Sequence, residues 1–141
     1  MDYLLDTNIL VHYVRQDKIW TEIRRTYNLF LAKPTPIVCV VSHGELRSFS
    51  TQRQWAKSKI NLLDFALSYF KNLSIDDPDI IDAYVAIDAD CKSRGFSLGK
   101  NDLWIAATAT ATVATLVTTD RDFDTIDPAF LTRIWVDPTL V

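Results

Sequence analysis

The sequence predicts an α/β fold with a mainly parallel central sheet flanked by helices. Two observations predict it. Short apolar runs, Tyr3-Leu4-Leu5, 37–41 and 115–119, are separated by stretches with helical periodicity. Strands that alternate with helices form βαβ units whose parallel sheet is covered on both faces. A third observation bears on function: Asp6 and Asp120 each end one of these apolar runs. In such folds ligands bind outside the carboxyl ends of the strands.

The elements follow in order. Asp6-Thr7-Asn8 supplies capping chemistry between the first strand and a helix carrying Ile9, Leu10, Val11 and Val14. A second helix is predicted over 19–32, stopped by Pro34 and Pro36. The run 37–41 is rich in Val and reads as a buried strand. Ser42 and Glu45 have the spacing of a capping box and open a helix predicted over 42–54. A longer helix covers 60–70, and 73–75 reads as a short strand. Asp77-Pro78 opens the next helix, which Gly95 ends. Asn101 or Asp102 is expected to cap a helix running to Ala111, ahead of the strand at 115–119; a last short strand is expected at 134–136.

The chain has 141 residues, 48% hydrophobic and 23% charged, which excludes disorder and a disulfide-stapled miniprotein and predicts one domain over 1–141. Cys39 and Cys91 lack CxxC spacing and read as free core thiols in a reducing cytosol, so a cytoplasmic protein is expected. The N-terminus has no basic region of a secretion signal. Residues 103–119 carry no charge but hold six threonines. They also fall short of the roughly 20 apolar residues of a spanning helix, and read as a helix followed by a buried strand.

The net charge of −3 conceals an asymmetry. Residues 1–60 hold nine Lys/Arg against five acids; residues 61–141 hold six against thirteen. Sixteen of the eighteen acids are aspartate, a poor helix former suited to caps, turns and metal ligation.

Four acids stand out: Asp6 and Asp120 at strand ends, Glu45 just past the second strand, and Asp102 at a helix start. Each has a structural reading as a cap or a dipole partner, which stabilises by about 1 kcal/mol. Asp6, Glu45 and Asp120 should reach the carboxyl edge of the sheet; the pattern alone does not force Asp102 there. Together in one pocket the four would repel each other, and a hard divalent cation resolves that conflict. Oxygen ligands without His or Cys select Mg²⁺ or Mn²⁺. Such a site suits phosphodiester hydrolysis. Basic residues would then hold flanking phosphates: Arg24, Arg25 and Arg47 in the first half, Lys100 and Arg121 beside the acids.

At this point four blocks, MDYLLDTNILVHYV, VVSHGELR, GKNDLWIAATA and LVTTDRDF, resemble in order and spacing the PIN-domain toxins of the VapC family. The resemblance covers essentially the whole chain. It implies a PIN-like three-layer fold and a Mg²⁺-dependent endoribonuclease, the toxin of a VapBC-type toxin–antitoxin pair. It also implies a homodimer and inhibition by a VapB-like antitoxin. Asp6, Glu45, Asp102 and Asp120 match the family's acids as catalytic and metal-binding residues. Asp122 and Asp124 lie close to the fourth position. Thr7, Asn8 and Thr118 are expected to orient carboxylates or waters. His12 and His43 read as structural, and Trp20, Tyr27 and Phe30 as core or as the wall of a partner groove.

Rival readings fit less well. A haloacid-dehalogenase phosphatase wants a second aspartate two residues after the first, where Asn8 stands. A phosphoacceptor receiver domain lacks its mid-chain strand-terminal Asp, and no GxxxxGK[ST] loop is present. A non-catalytic RNA- or protein-binding module does not explain four acids so placed.

Overall fold

The computed structural model describes residues 2–139; the ends of the predicted 1–141 domain lie outside the described residues. The five described strands are β1 (Tyr3–Leu5), β2 (Ile37–Cys39), β3 (Lys71–Leu73), β4 (Thr115–Thr118) and β5 (Thr132–Trp135). They form one sheet in the order β3-β2-β1-β4-β5, and every pairing is parallel. The helices are α1 (Thr7–Arg15), α2 (Lys18–Tyr27), α3 (Val40–Gln52), α4 (Lys57–Tyr69), α5 (Pro78–Ser93) and α6 (Lys100–Thr112), with a 3₁₀ segment at Arg121–Ile126.

Successive strand residues point to opposite faces, and the core divides accordingly. Leu5, Val38 and Val117 pack with α1, α2 and α4 through Leu10, Ile23, Leu63 and Ala66. Leu4, Ile37, Cys39 and Leu116 pack on the other side with α5 and α6, through Ile87, Leu103, Ile105 and Ala106. Each fully buried aliphatic side chain contributes roughly 1.5–3 kcal/mol. Residues 103–119 resolve into most of α6 and all of β4, as predicted, and no described helix is long and apolar enough to cross a membrane. Both cysteines are free and buried.

Several boundaries differ from the sequence prediction. The second helix ends at Tyr27 rather than 32, because Asn28 turns left-handed at φ 48° and its N–H bonds back to the Arg24 carbonyl. Asparagine tolerates this conformation, and the prolines are not what stops the helix. The second strand ends at Cys39, and α3 already starts at Val40. The capping box is therefore absent: Cys39 occupies the N-cap without a side-chain bond, and Ser42 lies inside the first turn. The third strand is Lys71–Leu73, and the predicted 73–75 overlaps it only at Leu73. Gly99, not Asn101 or Asp102, occupies the N-cap of α6.

Leu116 is fully buried at the centre of β4, the strand between β1 and β5. Leu116→Ala should destabilise the fold by about 2–5 kcal/mol through lost contact and a residual cavity. Urea unfolding followed by circular dichroism checks this as a lowered midpoint with an unchanged slope.

Candidate metal centre

Each acid reaches the site by a different local device. Asp6 follows β1 and serves as N-cap of α1, its Oδ1 accepting the Thr7 N–H at 2.8 Å. Its Oδ2 accepts the Thr118 hydroxyl at 2.7 Å. Thr118 ends β4, and its Oγ1 in turn accepts the Asp120 N–H at 2.9 Å. One hydroxyl thus couples the exits of two adjacent strands.

Glu45 comes from α3. Its Oε1 accepts the Thr7 hydroxyl at 2.6 Å, and its Oε2 accepts the Asn101 side-chain amide at 3.2 Å. Thr7 Oγ1 is also 2.8 Å from the fully buried Ser42 hydroxyl. A hydroxyl has one proton to give. Thr7 donates it to Glu45, so Ser42 is the donor to Thr7.

Asp102 sits in the first turn of α6. That helix ends three residues before β4 begins, so it runs against the strand and starts at the strand's carboxyl edge. The start of α5 and the end of α6 line one cleft, so the 94–99 connection returns the chain to that same edge. Asp102, Asp120 and Asp122 each offer an oxygen within 4.8 Å of the other two. Glu45, Gly99, Lys100, Asn101 and Asp102 line an open cleft of about 330 Å³.

The electrostatics report the same convergence. Burial pushes Asp6 up to about 6; the bonds from Thr118 and Thr7 pull it down, and repulsion from Asp120 and Glu45 adds to the rise. Asp102 is raised to about 7, first by burial and then by the charges of Asp6, Asp120, Glu45 and Asp122. Among the described residues, no ion pair involves Asp6, Glu45, Asp102, Asp120 or Asp122. A set of carboxylate oxygens without His, Cys or a basic partner fits a hard divalent cation, which neutralises the cluster that no side chain does.

The other sequence candidates are placed as follows. Thr7 and Thr118 contact the acids, whereas Asn8 is exposed and makes no side-chain hydrogen bond among the described residues. Arg25 pairs with Glu22 and Arg47 with Asp64, both exposed; Arg24 is exposed in the last turn of α2. Lys100 lines the open cleft, and Arg121 stacks on Trp135. His12 bonds Asp17, the N-cap of α2, and His43 faces Asn72. Trp20 is buried among Tyr13 and Phe30, and Tyr27 lines a cleft of about 150 Å³ beside Trp135. Sequence reasoning missed Asn101 and the Ser42–Thr7 link. Asn101 read as a cap beside Asp102, and Ser42 as one half of a capping box.

The comparisons agree with this architecture. The PIN domain family model matches residues 3–128. The chain belongs to the PIN-domain family, whose VapC members are nucleases and whose domains generally use a divalent metal. Its structural neighbours include chains of VapBC toxin–antitoxin systems. It is 26% identical to a chain of VapBC2 from Rickettsia felis, a complex bound to a DNA fragment from its promoter. That match covers 97% of this chain and 100% of the other, with a TM-score of 0.81. VapBC-1 from nontypeable Haemophilus influenzae shares the fold at 24% identity and a TM-score of 0.75, covering 96% and 98% of the two chains. FitAcB from Neisseria gonorrhoeae does so at 22% and 0.73, covering 94% and 96%. No curated protein matches the sequence.

The raised carboxyls give a stability prediction for the metal-free protein. Asp6 and Asp102 ionise at about 6 and about 7 when folded, above the ordinary 3.8. Between about pH 4 and 7 the folded state therefore holds protons that the unfolded chain has released, and stability falls as pH rises through that window. Thermal melts in chelator should show a lower Tm at pH 8 than at pH 5. Asp102→Asn should raise the pH 8 value and flatten the trend.

Proposed function

We propose that the chain is a Mg²⁺-dependent endoribonuclease, the toxin of a VapBC-type pair, hydrolysing RNA phosphodiesters at the carboxylate cluster. One observation carries the reading: Asp102, Asp120 and Asp122 offer oxygens within 4.8 Å of one another, Asp6 and Glu45 lie near enough to raise Asp102, and among the described residues no basic side chain pairs with any of the five. Asp6, Glu45, Asp102 and Asp120 are the proposed ligands, with Asp122 beside Asp120. When bound, Mg²⁺ or Mn²⁺ activates water and offsets charge developing on phosphate oxygens.

The chain's own groups supply rigidity and order. Asp6 is held at both oxygens by Thr7 and Thr118, and Glu45 at both by Thr7 and Asn101. These four bonds keep the carboxylates from following a cation outward, so the site is preorganised rather than assembled by its contents. Asp102 has no hydrogen-bond partner among the described residues, and its raised carboxyl is the one whose protonation competes with cation uptake near neutrality.

The VapBC neighbours support an antitoxin partner; the homodimer follows from the family resemblance alone. Leu31 and Phe65 are exposed beside Phe30, apolar surface of the kind an antitoxin segment covers. Co-expression with the product of an adjacent short reading frame should abolish cleavage, and light scattering at micromolar concentration should return twice the mass of one chain.

Cleavage of a mixed RNA substrate tests the activity. The wild type should cut in Mg²⁺ and Mn²⁺ but not in chelator, and Asp6→Asn should lose at least about a hundredfold, the scale of a lost ligand or its orientation. Equal cleavage by the two proteins, or RNA binding without cleavage, would favour a non-catalytic binding module. Independently of activity, Mg²⁺ or Mn²⁺ should raise the Tm of the wild type at pH 8 but not that of Asp102→Asn/Asp120→Asn.

A further inference from the structure

An anionic strand that approaches five carboxylates needs a fixed positive charge nearby. Of the five basic candidates, Arg25 and Arg47 are engaged by Glu22 and Asp64. Arg121 differs from the rest: it directly follows Asp120, and its guanidinium carbon lies 4.1 Å from the centre of a Trp135 ring. Trp135 ends β5, in register with Thr118 of β4, and its indole N–H donates to the Thr119 carbonyl at 3.0 Å. The ring is thus tied to the segment that carries Asp120, and the guanidinium rests on the ring.

The carboxylates around Arg121 have other partners. Asp124 shares its charge between two arginines: its Oδ1 accepts the Arg133 Nε–H at 2.7 Å, and its Oδ2 pairs with Arg121 Nε only at 3.6 Å, beyond hydrogen-bond reach. Asp137, whose carboxyl is held low, owes that first to the Thr139 hydroxyl and amide and only lastly to Arg121. The Arg121 side chain stays 60% exposed. A guanidinium held over a ring and left this exposed keeps N–H donors for phosphate oxygens, which its fork matches two at a time.

We propose that Arg121, held over the Trp135 ring, seats a phosphodiester of the substrate strand beside the acidic centre, with Trp135 as its positioning residue. The proposal rests on the RNA-cleavage reading above.

The test is binding of a single-stranded RNA oligonucleotide to the Asp6→Asn protein in Mg²⁺, titrated with salt. Arg121→Ala should weaken binding about fivefold, the equivalent of about 1 kcal/mol. It should also reduce the slope of log K against log salt by about 0.7, one phosphate contact on a single strand. Trp135→Ala keeps the charge, so it should weaken binding by a smaller factor at unchanged slope, and Trp135→Phe should restore most of the loss. Arg121→Ala/Trp135→Ala should bind no more weakly than Arg121→Ala alone, a coupling that a merely structural tryptophan would not produce. A cooperative melt near the Tm of the Asp6→Asn protein confirms that each variant is folded. Additive losses in the double variant, or an unaffected Arg121→Ala, would overturn the proposal. Failure of the RNA-cleavage reading looks different: the wild type then leaves the oligonucleotide uncut in Mg²⁺, whatever the Arg121 and Trp135 variants do to its binding.

Discussion

Mutual repulsion among carboxylates crowded at one sheet edge is the constraint on which the rest of this structure depends. A fold does not gather Asp6, Glu45, Asp102, Asp120 and Asp122 without salt bridges for the sake of its own stability; burial and like charge both work against it. The apolar layers on either side of the sheet hold the acids where they would not otherwise stay. The site is destabilising by itself and tolerable because the two cores are not. Unpaired charge maintained in this way is a mark of a place where a cation belongs.

The placement depends on backbone as much as on side chains. Parallel strands end together, so Asp6 and Asp120 emerge side by side once β1 pairs with β4 from Tyr3↔Thr115 to Leu5↔Val117. A slip of one residue in this register would send the side chains of each core to the opposite buried face. It would also separate the Thr118 hydroxyl from Asp6. Packing of the core and assembly of the metal centre are therefore set by the same pairing.

Much of this was legible in the sequence, for identifiable reasons. Apolar runs separated by helical patterns announced the parallel sheet, and aspartates closing two of those runs announced the edge that matters. Asp102 was harder, because its arrival depends on α6 running against β4 after the return from α5, which is tertiary information. Val40 and Val41 read as strand, since β-branched residues favour strands locally while packing decides otherwise. Ser42 illustrates the same limit: its spacing to Glu45 mimicked a capping box, yet its hydroxyl is fully buried and bonded to Thr7 on another element. Asn28 carried no signal that distinguished a left-handed stop from a helix continuing toward the prolines.

The hydroxyl of Thr118 bridges to an aspartate 112 positions earlier in the chain. Because the acidic centre draws on both β1 and β4, translation has to pass residue 122 before the last carboxylates can join the first. The fold thereby delays its own completion: a nascent chain whose early helices have formed still lacks the strand whose hydroxyl closes the cluster.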